Sequence, residues 1–117
     1  YGNNIALTGT LAHGEVYVIA NADAIAAILD VSDTTSTVTY FNGDDAVALL
    51  KNEVVIDVFG VIGTDPGSSW VVGTGTTANY TLVRKSTVLS PVTTWDPAEW
   101  DVYPQDTTSY LGGHTMG

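Results

Sequence analysis

Trp95 and Trp100 bracket three carboxylates, Asp96, Glu99 and Asp101, in the densest concentration of chemistry-bearing side chains along the chain. An indole face stacks on a pyranose ring and carboxylates accept from its hydroxyls, so this pattern offers a glycan-binding or glycosidase-like rim. The competing reading, which we favour, has the two tryptophans closing one end of a core beneath a loop of solvated acids. Trp70 is a third aromatic candidate for ligand contact. Asn42, Asp44 and Asp45 could offer oxygens to Ca²⁺, the one cofactor considered. A calcium ion takes roughly six to eight oxygen ligands, however, and no D-x-[DN]-x-[DN]-G series is present. Asn and Asp at this density close turns instead. Asp57 is the lone acid in an apolar run, and Arg84 shares a strand face with Tyr80 and Leu82. A buried charge must be paired, so Asp57 and Arg84 are expected to form an ion pair.

Catalysis is not expected. A nucleophile needs a positioned base, yet His13 lies in a turn, His114 lies near the end, and no G-x-S-x-G occurs. There is no cysteine, so neither disulfides nor thiolate metal sites contribute. Thirteen acids against Lys51, Arg84 and Lys85 give a net charge of -10, which repels phosphate backbones and disfavours direct nucleic-acid binding. No apolar run approaches the roughly 20 residues of a membrane helix, so membrane insertion is not expected. Charged residues make up 14% of the chain, against about 25% in an ordinary domain. Thr, Ser, Asn and Gly carry the polarity instead, a surface typical of secreted β-proteins. Any export signal would already have been removed.

The chain's 117 residues fit one domain, residues 1–117. Residues 46–60 read as an antiparallel hairpin, with an almost wholly apolar first strand expected to be covered on both faces. Residues 5–8 suggest a short strand and residues 15–20 an internal one, with Val16, Val18 and Ala20 opposite Tyr17 and Ile19. Asn21 is a candidate N-cap for a helix over residues 22–29, the only one expected. Residues 32–40 suggest an edge or half-exposed strand. Residues 63–75 read as a long surface loop anchored by Trp70, and residues 80–85 as the last clear strand. The tail from Pro91 reads as loop pinned by Trp95, Trp100 and Tyr103. Asn79-Tyr80-Thr81 matches a glycosylation sequon, read as incidental. One helical segment is too few for a parallel βαβ order. The expected fold is all-β: an immunoglobulin-like antiparallel β-sandwich with one short helix.

Several segments resemble the lamin-tail domain family, in its bacterial secreted branch. They are Leu11-Ala12-His13-Gly14-Glu15-Val16-Tyr17-Val18-Ile19-Ala20-Asn21, Phe41-Asn42-Gly43-Asp44-Asp45, Gly63-Thr64-Asp65-Pro66-Gly67 and Thr81-Leu82-Val83-Arg84-Lys85. Trp100-Asp101-Val102-Tyr103-Pro104-Gln105-Asp106-Thr107 and Leu111-Gly112-Gly113-His114-Thr115 also fit. The resemblance implies an extracellular or cell-surface, non-catalytic interaction module. The alternative is a glycan-binding accessory domain of a secreted hydrolase or nuclease. Family members begin with two further strands, and Tyr1 enters after that point. Three explanations stay open: a shortened N-terminus, proteolytic loss, or strands supplied by another chain. The last would allow self-association through sheet edges into a filament.

Overall fold

The computed structural model describes residues 3–116. Strands outweigh helix, and most strand pairs are antiparallel. Contacts group into two compact units: residues 1–41 with 108–115, and residues 42–107 with 116–117.

The second unit carries the long ladders. Strands β3 (Val47–Lys51) and β4 (Val54–Phe59) pair antiparallel around Asn52 and Glu53, both with positive φ. Positive φ at both central residues makes a type I′ turn, whose twist matches that of the flanking strands. Val58 is buried, but Leu49, Leu50 and Val54 are exposed. The expectation of a strand covered on both faces is thus corrected. Apolarity gave the strand's existence, whereas nothing among the described residues covers its tip. Register shifts between Leu49 and Leu50, whose partners are Asp57 and Val55, so Ile56 is an extra residue on β4. Such a bulge re-aims the side chain beside it, and that neighbour is Asp57.

Strand β7 (Tyr80–Arg84) pairs antiparallel with β8 (Trp100–Pro104). The expectation of a loop tail is corrected here. Trp100, Val102 and Pro104 stand opposite Arg84, Leu82 and Tyr80 and share their face, while Asp101 and Tyr103 take the other. Between lie β5 (Val71–Val72) and β6 (Gly75–Thr76), a short hairpin where a continuous loop was expected. Thr77 closes its mouth: its N–H donates to Trp70 O at 3.0 Å, and its hydroxyl accepts from Trp70 N–H at 2.9 Å. The same hydroxyl donates to the Gly43 carbonyl. Val72, fully buried, anchors this hairpin.

The first unit is built differently. β1 (Ile19–Ala20), helix α1 (Ala26–Leu29) and β2 (Thr34–Thr35) form a small β–α–β crossover with parallel strands. One helical turn therefore suffices for a local parallel pair, contrary to the sequence expectation. The expected strand over residues 15–20 contracts to β1 because the Asp33 carboxylate takes the Val18 N–H at 2.7 Å. Tyr17, expected to face the interior, is exposed. Residues 5–8 form no strand. The helix is shorter than expected, and Asn21 does not cap it. Its side chain accepts from Asp23 N–H at 2.9 Å and its carbonyl from Ala24 N–H, closing a turn instead. The expected edge strand over residues 32–40 holds β2 and then a 3-10 turn, Thr37–Thr39. Ser36 starts that turn, its hydroxyl accepting from Val38 N–H. No helix among the described residues is long and apolar enough to cross a membrane.

Candidate functional site

Asp57, Arg84, Trp95 and Trp100 meet in the second unit. The re-aimed Asp57 carboxylate receives Arg84 in a fork: Nη1 donates to Oδ2 at 2.6 Å and Nη2 to Oδ1 at 3.1 Å. Nη2 also reaches Glu99 Oε1 at 3.3 Å. These side chains keep only 17%, 23% and 18% exposure for Arg84, Asp57 and Glu99, so water screens them weakly. The hydrogen bond to Asp57 raises the guanidinium pKa above its ordinary value. Burial opposes this, while the charge of Asp57 and the bond and charge of Glu99 reinforce it. Asp57 Oδ1 further accepts from the N–H groups of Val58 at 3.0 Å and Val92 at 3.4 Å.

Arg84 also lies over Trp100, its Cζ 5.1 Å from the ring centroid, within the ~6 Å reach of a cation–π contact. Trp100 in turn meets Phe59 edge-on at 5.2 Å, and Phe59 meets Trp95 at 4.8 Å. Trp95 and Trp100 stand 6.4 Å apart, tilted by 38°. Edge-to-face packing against a strand residue fills a core edge, and each such pair adds about 0.5–1.5 kcal/mol beyond its buried area. Trp100 Nε1 is sealed from solvent.

The three acids between these tryptophans diverge. Asp96 caps the 3-10 turn Pro97–Glu99 by accepting from Ala98 N–H at 2.9 Å. Glu99 turns inward to Arg84. Asp101 pairs with Lys85 at 3.7 Å, both well exposed. Trp70 packs under Gly60, the residue after Phe59. At a φ of +79°, a Cβ on Gly60 would stand 2.8 Å from Trp70 Nε1, so only glycine fits. Asp44 is half-buried and Asp45 exposed in a bend after Gly43. Among the described residues no group of three or more His, Cys, Asp or Glu side chains converges as a metal site. His13 and His114 are both exposed.

Glu99 is the member that sequence reasoning placed wrongly, in the solvent rim. Its signal was positional: Asp96-Pro97 starts a 3-10 turn that brings residue 99 back beside Arg84. Chemically the cluster is a neutralised cation clamped between two carboxylates and an indole, which suits holding strands β4, β7 and β8 in register. No family model matches the chain, and no curated protein or solved structure matches it.

Proposed function

We propose that this chain is a non-catalytic interaction or assembly module, an immunoglobulin-like sandwich of lamin-tail type from a secreted or cell-surface protein. It associates with further copies through a sheet edge. The observation carrying this reading is the β3–β4 hairpin, a sheet of two strands whose outer edges have no ladder partner among the described residues. Its apolar tip stands in solvent, with Val54 62% exposed and Leu49 45%. An apolar edge of this kind is a template for strand addition.

The glycan-binding alternative has less support, because Trp95 and Trp100 spend their faces and edges on Phe59 and Arg84. The test is sedimentation velocity over a concentration series at low and high salt. With -10 per chain, salt screens the mutual repulsion and should strengthen association, and Val54→Lys should abolish it. Compact monomers at every concentration and salt would overturn the reading. Turnover of a substrate that is lost on one point substitution would do the same.

A further inference from the structure

The first unit holds an open groove of about 310 Å³ lined by Val16, Tyr17, Val18 and Ile19 on one side and residues 110–113 on the other. Its strand wall is half used. The Val18 and Ala20 carbonyls accept from Thr34 and Ser36 on the β2 side. In a parallel pairing the residue between them directs its N–H and C=O to the opposite edge. Ile19 therefore presents its backbone groups away from β2, and neither these groups nor those of Tyr17, just before the strand, are hydrogen-bonded among the described residues. The facing wall includes Gly112 and Gly113, which lack side chains that would hold an incoming backbone off.

Charge decides what fits. Lys51, Arg84 and Lys85 all belong to the second unit, so the first carries Glu15, Asp23, Asp30 and Asp33 with no Lys or Arg. Glu15 adjoins the groove's strand wall in sequence. Asp33, bonded to Val18 N–H, lies on the β2 side of that strand. An apolar floor, a free strand edge and a unit that carries four acids and no Lys or Arg select an extended apolar segment with cationic flanks. A second copy of this chain, itself at -10, is disfavoured there.

We infer that the groove beside Tyr17 and Ile19 binds an extended, apolar segment of another polypeptide flanked by Lys or Arg, added as a strand to β1. This surface is separate from the hairpin proposed for self-association. Main-chain bonds to Tyr17 and Ile19 supply affinity, and the negative charge of the unit supplies selectivity.

The test uses the full chain and a synthetic peptide of alternating valine and threonine with lysines at both ends, followed by fluorescence anisotropy and amide hydrogen exchange. The lysine-ended peptide should bind and protect the Tyr17 and Ile19 amides. The same peptide with glutamate ends should bind at least about tenfold more weakly, the factor that 1.4 kcal/mol represents. Tyr17→Lys, at an exposed position, should weaken the lysine-ended peptide and leave the circular dichroism spectrum unchanged. Gly113→Val is a second variant, since a Cβ there meets no protein atom within 4 Å; it should also weaken binding. Equal affinity for both peptides, or protection confined to the β3–β4 hairpin, would overturn the inference. Protection of Tyr17 and Ile19 by self-association alone would also overturn it, by giving the groove to a second copy. Loss of peptide binding with salt-driven association intact would sink this inference and leave the hairpin reading standing.

Discussion

The two units cohere by different means. In the second, five- and six-residue strands form long ladders, and an arginine, two carboxylates and three aromatic rings lock the faces together. In the first, paired strands are two residues long, and short polar side chains do much of the holding. Asp33 takes a strand amide, Glu15 Oε1 takes the Ala12 amide, Asn21 closes a turn, and Asn3 and Thr37 bond each other. Among the described residues, fully buried apolar side chains there are Val18 and Ala20. One unit resists opening through non-local pairing and packing. The other relies on many single bonds, each individually replaceable, and so should open locally first.

The largest test of this contrast is a pair of glycines. In the second unit a Cβ on Gly43, at φ +110°, would stand 2.6 Å from Ala78 Cβ and 3.0 Å from its Cα. Gly43→Val should therefore cost more than about 3 kcal/mol by chemical denaturation, combining overpacking with backbone strain. In the first unit Gly113→Ala meets only open space and should stay within about 0.5 kcal/mol of the parent. Equal effects would erase the distinction between a packed and a loosely filled unit.

Arg84→Met comes next. It leaves Asp57 and Glu99 as unpaired, largely buried acids and should cost about 2–3 kcal/mol. Arg84→Met combined with Asp57→Leu should recover part of that loss, and additive losses would mean the fork contributes nothing as a pair. The pH dependence follows from the raised Arg84 pKa. A raised folded-state value gives stability that is fully present below the unfolded pKa and is lost only as pH rises through the folded one, in strongly alkaline solution. The difference between parent and Arg84→Met in urea midpoint should thus not shrink between neutral and mildly alkaline pH.

In the first unit, Asp33→Asn keeps the shape but weakens a charge-assisted bond to Val18 N–H. A loss of about 1 kcal/mol is expected, with faster exchange at Val18 before any change at Leu82. The smallest effect has the opposite sign. Glu53 has a φ of +67° in the β3–β4 turn, so Glu53→Gly should stabilise by about 0.5–1 kcal/mol. A destabilised variant would show that Glu53 makes a contact beyond the turn.

Legibility in the sequence followed the same divide. Residues 47–59 announce a hairpin because apolar runs flank a short polar turn, and a lone Asp57 in such a run demands a cation, which Arg84 provides. Strand β8 was harder to see. Pro97 and Pro104 look like loop punctuation, although the first starts a 3-10 turn and the second ends the ladder. The β5–β6 hairpin hides in a run of glycines, where Gly73 turns the chain and Gly75 lies against Val102 and Tyr80. The parallel β1–β2 pair has no periodic signature, since two residues are too few to alternate and Asp33 replaces a ladder bond. Exposure at Leu49, Leu50 and Tyr17 was illegible for a different reason. Apolarity states a preference for burial, and whether anything arrives to cover the side chain depends on the rest of the fold.

The extra residue on β4 has a consequence for how this hairpin can change over time. Each half of that strand keeps its own alternation, and Ile56 is the seam between the two phases. Exchanging one side chain for another leaves the phases where they are. Removing Ile56 would make Val55 and Asp57 neighbours opposite Leu50 and Leu49, a regular ladder in which both halves keep their partners and only the local bend is lost. The hairpin can therefore shed this one residue without re-pairing, whereas losing any other residue of the strand would set one half against new partners.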